Sequence, residues 1–160
     1  MADNYIQLGN DDDLLIMKIK DSNGNETGEE LVFDLNDVEF LLRYQNMLYK
    51  ISKLKEKVKN DILVINKRED VKGKKLFSKN QEDVIKAEED FIKNMAEAYN
   101  MFLGENGVQK LLNGRKLGWT SLATIDEIIE KQIVPKVGVT IEDVKKNIIS
   151  KYGFKNEEEL

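Results

Sequence analysis

The sequence predicts an α+β protein, predominantly α-helical with a small N-terminal β-hairpin. Three observations carry that expectation. Apolar and polar residues alternate only within residues 14–35, around an Asn23-Gly24 pair able to supply the positive φ of a tight turn. From Val38 onward, apolar residues instead recur at spacings of three and four, the period of a helix face. A single Pro and ten Gly in 160 residues are too few for a loop-rich β sandwich. The expected organisation is a hairpin segment over 1–35, a helical domain over 36–154 and an acidic tail over 155–160. Together these form one folded unit.

Taken in order, Tyr5-Ile6-Gln7-Leu8-Gly9 reads as a short strand, and Leu14 to Lys20 as a second. Residues 21–28 form the turn, and Glu30 to Leu35 the return strand with Leu31, Phe33 and Leu35 on one face. A first helix is expected from about 37 to about 66, with Asn36 as cap, Glu39 completing a capping box and Leu35 and Phe40 as a hydrophobic staple. Its apolar stripe is Val38, Leu41, Tyr44, Leu48, Ile51, Leu54, Val58, Ile62 and Ile65. Residues 67–79 are Lys-rich and polar, a mobile loop by composition with Leu76-Phe77 as an apolar anchor.

Ser78 with Gln81 marks the next helix start, and Gly104 its end. A short element bounded by Gly107 and Gly114 follows. Thr120 or Ser121 should cap a further helix ended by Pro135, and Thr140 a last one ending before Gly153.

Composition removes several chemistries. The chain has no Cys and no His, and so lacks thiolate chemistry, the usual general base near neutral pH and the commonest metal ligands. The remaining carboxylates, lysines, tyrosines and hydroxyls show no catalytic spacing, so no catalytic residue, metal ligand or cofactor is expected. Asp21-x-Asn23-x-Asn25 begins like a calcium loop, but Glu26 stands where the sixth position needs Gly, and Val32 where the twelfth needs a bidentate Glu. It reads as a hairpin turn. Gly104 and Gly107 lack the strand and Lys of a phosphate-binding loop and read as helix punctuation. The start is polar and acidic, unlike a signal peptide, and no 18-residue apolar run occurs, so a soluble cytoplasmic protein with no membrane contact is expected.

The net charge of −5 conceals an asymmetry. Residues 1–40 hold eleven acidic residues against Lys18 and Lys20, a local charge of −9. Residues 50–79 hold eleven Lys or Arg against four acidic residues, a local charge of +7. Nucleic-acid binding through the basic run is the weaker reading, because it is Lys-rich, lacks an RNA-binding aromatic motif and belongs to an acidic protein. A solvated helix face is the better one. The opposite charges and the long first helix lead instead to an expectation of homo-oligomers.

The stretch from Asp83 to Val134 holds most bulky side chains outside the first helix, including the chain's only Trp. Met101, Phe102, Leu103, Leu111, Leu112 and Trp119 are the candidate partner-binding residues. The competing reading places them in the core.

The order of features resembles a known family. A hairpin ending Phe33-Asp34-Leu35-Asn36-Asp37 runs into Phe40-Leu41-Leu42-Arg43-Tyr44. A helix ends Tyr99-Asn100-Met101-Phe102-Leu103-Gly104, before Gly107-Val108-x-x-Leu111-Leu112-Asn113-Gly114-Arg115, and a further one reaches Ile133-Val134-Pro135. Over residues 28–135 this resembles the tail assembly chaperones of long-tailed phages and prophages of Gram-positive bacteria. Leu112-Asn113 replaces the aromatic that often precedes the closing Gly there. The resemblance implies a non-catalytic protein of the host cytoplasm that binds the tape measure protein before the tail tube polymerises. The alternative is a structural tail or connector subunit of the virion.

Overall fold

The computed structural model describes residues 3–9 and 13–152. Strands β1 (Leu14–Lys20) and β2 (Glu26–Asp34) are followed by α1 (Phe40–Lys67), α2 (Lys79–Leu103), α3 (Gly107–Leu112) and α4 (Trp119–Ile128). A π-helical turn (Ile129–Ile133) leads on into α5 (Val134–Tyr152). The protein is thus α+β, a two-stranded antiparallel hairpin followed by helices.

Alternation decides the hairpin's faces. Leu15 lies opposite Phe33 and Met17 opposite Leu31, placing these four toward the helices. Ile16 pairs with Val32 on the outer face, where both are about half exposed. At the turn, Asp21 Oδ1 accepts the backbone N–H groups of Asn23 and Asn25, each at 2.9 Å, and Gly24 takes φ +83°. Asp21 therefore spends its carboxylate on the turn itself. The expected strand at Tyr5–Gly9 is not formed. A strand exists by pairing, and this segment has no partner strand among the described residues.

The start of α1 differs from expectation in a local way. Asn36 does not cap it, and its N–H instead donates to Asp34 Oδ1 at 3.0 Å. The N-cap position falls on Glu39, without a side-chain cap, and Asp37 closes the turn before it: its Oδ1 accepts the Glu39 N–H at 2.9 Å, and its backbone carbonyl accepts the Phe40 N–H. The Arg43 guanidinium, hydrogen-bonded to Asp37, and the Glu39 N–H together hold that carboxyl below its ordinary range. Its charge-assisted bonds hold this turn in place and start the helix three residues later than Asn36 would. Val38 consequently falls outside the helix and is 92% exposed.

Helices α1 and α2 form an antiparallel pair: Phe40 meets Phe102 at one end, and Arg68 meets Asp83 at the other. Over its 28 residues α1 extends about 42 Å. Both predicted halves of the Ser78–Gln81 capping box are present, at 3.2 and 2.9 Å. The connecting segment 68–78 has no regular structure, but side chains tie it down. Arg68 Nε donates to Asn80 Oδ1, Asn80 Nδ2 donates back to the Arg68 carbonyl, and Asp70 Oδ1 accepts the Asn80 N–H. The mobile loop expected from composition is anchored at its ends, with Ser78 and Asn80 buried.

The hairpin closes on the roots of this pair. Phe33, Phe40, Tyr44 and Phe102 form one aromatic cluster, with ring centroids 5.0–5.8 Å apart across the contacting pairs. Met47, Ile51, Met95, Ala98 and Tyr99 continue the core between the helices, and Leu122, Ile125, Ile129, Ile133 and Val137 extend it along the C-terminal helices.

Pro135 does not end a helix. The Val134 N–H donates to the Ile129 carbonyl five residues back, so the ladder has already slipped one residue on reaching Pro135, which has no N–H to give. The wider π turn also makes room for the ring, and the helix passes through. Thr140 accordingly lies inside α5 and caps nothing; its Oγ1 donates to the Lys136 carbonyl at 2.9 Å. The expected stop at Gly153 and the tail 155–160 lie outside the described residues. Among the described residues, no helix is long and apolar enough to cross a membrane.

Candidate partner-binding groove

The six residues singled out from sequence divide into three groups. Phe102 and Leu103 are 4% and 3% exposed, with Phe102 at the centre of the aromatic cluster. They are core, which corrects their placement on a partner surface. Periodicity could not separate them from a surface pair, because a helix end wedged between a hairpin and a second helix is covered on both flanks. Met101, the neighbour on α2, is 37% exposed and lines neither cleft described below. Leu111, Leu112 and Trp119 do come together, lining an open cleft of about 470 Å³ with Gly118, Thr124, Ile125 and Ile128. Trp119 is 53% exposed, and its ring centroid lies 5.6 Å from that of Phe91.

Local geometry explains how α3 presents these leucines. Asn106 and Asn113 flank it in the left-handed region at φ 59° and 50°, with Gly104 and Gly114 at φ 93° and 82° just outside. A Cβ on Gly107 would overlap Leu103 Cβ, so only glycine lets α3 sit this close to α2. Asn100 Oδ1 accepts the Val108 N–H at 2.8 Å, and Val108 is fully buried beneath α3. The far wall begins at Gly118, whose N–H donates to Ser121 Oγ at 2.8 Å. Ser121 thus acts from inside the first turn, and neither it nor Thr120 is the N-cap.

A second cleft of about 270 Å³ adjoins the first and shares Leu111 and Ile128 with it. Its other walls are Met17, Lys18, Ile19 and Lys20 of β1, Leu31 of β2, and Gln132 and Ile133 of the π turn. Four consecutive β1 residues line it although alternate side chains on a strand point to opposite faces, so the strand's backbone forms part of the wall. The edge of β1 away from β2 carries no neighbouring strand among the described residues. Sequence reasoning missed this half of the groove. The alternation at 14–20 was legible, but the meeting of a strand edge with residues more than 100 positions later was not.

Lys18, Lys20, Arg115 and Lys116 stand on the walls, and among the described residues no acidic side chain lines either cleft. In a protein of net charge −5, this makes the groove locally cationic over an apolar floor. The back of α4 is held by Tyr99, whose hydroxyl donates to Asp126 Oδ1 at 2.9 Å. Burial, reinforced by that carboxylate, pushes the Tyr99 phenol well above its ordinary range. The densest polar cluster elsewhere is the loop anchor. There, hydrogen bonds from Ser78 and from the Asn80 N–H hold Asp70 low, and Arg68 and Lys79 hold Asp83 low. Each of these groups is explained by a structural partner. Among the described residues, no three metal-ligating side chains converge.

The geometry defines a class: a helical α+β protein with an apolar groove rimmed by Lys18, Lys20, Arg115 and Lys116. Compared with known proteins, the chain matches no family model, no curated protein and no solved structure.

Proposed function

We propose that this chain is a non-catalytic assembly chaperone that holds an apolar segment of a client in the groove between β1, α3, the π turn and α4. On the sequence resemblance, the client is the tape measure protein of a long-tailed phage or prophage, bound in the host cytoplasm before the tail tube forms. One observation carries the reading: the two clefts sharing Leu111 and Ile128 form a run of largely apolar surface with no acidic side chain among the described residues. Apolar patches of this kind mark interaction sites more often than solvated surface. The π turn lies on its wall, and such turns recur at functional sites. The cationic rim favours a client segment carrying acidic residues beside its apolar ones.

The test is co-expression with the long helical reading frame expected beside this one. A chaperone keeps apolar client segments soluble, co-purifies with them, and is absent from finished particles. The second reading, a structural tail or connector subunit, is favoured by the unpaired edge of β1, which could add to a neighbour's sheet. It requires the opposite result, stoichiometric copies in the particle.

A further inference from the structure

The N-terminal arm before β1 is poorly explained by its own chain. In residues 3–9, Tyr5, Ile6 and Leu8 are 86%, 93% and 86% exposed, and the segment forms neither helix nor strand. Three large side chains held this far into water gain nothing by their position, whereas burial would stabilise each. The arm is also acidic, with Asp3 at one end and Asp11, Asp12 and Asp13 at the other.

The groove offers the complementary chemistry. The unpaired edge of β1 spans seven residues, about 23 Å at 3.3 Å per residue, and the seven described residues of the arm suffice to pair along it. Beneath that edge lies the apolar floor of Met17, Ile19, Ile128 and Ile133, and on it stand Lys18 and Lys20. Of the acidic first forty residues, these two are the only basic ones.

We propose that the arm of a second copy of this chain adds as a strand to the free edge of β1. Ile6 and Leu8, two residues apart and so on one face of a strand, enter the cleft, and the arm's carboxylates lie near Lys18 and Lys20. Backbone pairing satisfies the exposed N–H and C=O groups of both edges, while the apolar pair and the charges set register. The occupant is a second copy because the chain's own arm leaves Ile6 and Leu8 exposed and lines no part of the cleft. The arm covers part of the surface assigned above to a client, so client and second copy compete for it. Self-association needs no client, and its outcome is therefore separate from that of the chaperone reading.

The full-length chain has no Cys, so introduced thiols report without background. Ile6→Cys in one tagged copy should form a disulfide with Gln132→Cys in a differently tagged copy, and not with Glu56→Cys on the exposed face of α1. In sedimentation, Ile6→Asp combined with Leu8→Asp should weaken self-association about tenfold or more, and added salt should weaken it in the unaltered protein. A species of 18.5 kDa at every concentration would overturn the proposal. So would equal crosslinking to Glu56→Cys, a disulfide formed only within one chain carrying both Ile6→Cys and Gln132→Cys, or unchanged assembly in the double Asp variant.

Discussion

The two ends of the α1–α2 pair are built from different physics. At the root, Phe33, Phe40 and Phe102 are each 4% exposed or less and pack ring against ring beneath the hairpin. At the tip, beyond Ile51 on α1 and before Phe91 on α2, no apolar residue is fully buried. Ser78 and Asn80 are, and Arg68, Asp70 and Asp83 close a polar joint around them. Buried apolar packing is non-directional and tolerates open clefts alongside it; a hydrogen-bonded joint fixes one geometry and weakens when any partner is lost. The groove sits at the root, where the apolar surplus is.

That contrast predicts effects of decreasing size. Phe102→Ala removes the ring that joins hairpin, α1 and α2, and should cost about 3–5 kcal/mol in a cooperative denaturant transition. Asn80→Ala should cost about 1–3 kcal/mol, because it leaves the Arg68 carbonyl and guanidinium without their buried partner. Hydrogen exchange should localise its effect to the tip, with amides near residues 79–84 losing protection before those of the root. An equal loss of protection at both ends would refute the division.

Tyr99→Phe keeps the ring and loses the bond to Asp126, costing about 1 kcal/mol. The Tyr99 pKa is raised above its ordinary 10.0, so its contribution is complete below that value and lost as pH rises through the higher folded one. A stability profile of the Phe variant should be flatter on the alkaline side. The tip responds to acid instead. Asp70 and Asp83 are held below their ordinary 3.8, so their contribution is present above that pH and lost as pH falls through the depressed folded values. Asp70→Asn with Asp83→Asn should flatten the acid limb at the tip and leave the root unchanged.

How much of this was legible depended on whether the cause was local. Asn23-Gly24, Ser78 with Gln81, and Gly104 each act within a few residues, and each stands where its residue type requires. Asn36 was misleading because two better acceptors, Asp34 and Asp37, lie within two residues of it. Pro135 carries a strong stop signal that a slip in the hydrogen-bond ladder absorbs, and no residue pattern announces that slip. Anchoring of the Lys-rich loop needed Asn80, ten and twelve residues from its partners. The groove was half legible: Leu111, Leu112 and Trp119 share a short Gly-punctuated stretch, whereas the strand edge facing them is set by the tertiary fold.

The central claim is that this groove is a binding surface and not an unfinished piece of core. It is tested most directly by thermal melting and client binding measured together on Trp119→Ala and Leu112→Asp. Exposed positions outside a packed core change stability by about 0.5 kcal/mol or less, and a half-exposed Trp should stay near that limit. The predicted result is folded protein in both cases, with melting nearly unchanged for Trp119→Ala and lowered for the partly buried Leu112→Asp, and client affinity reduced about tenfold or more, the usual loss at a buried aromatic anchor. If both variants unfold the isolated chain, Leu112 and Trp119 are core residues like Phe102, and the groove has no binding role.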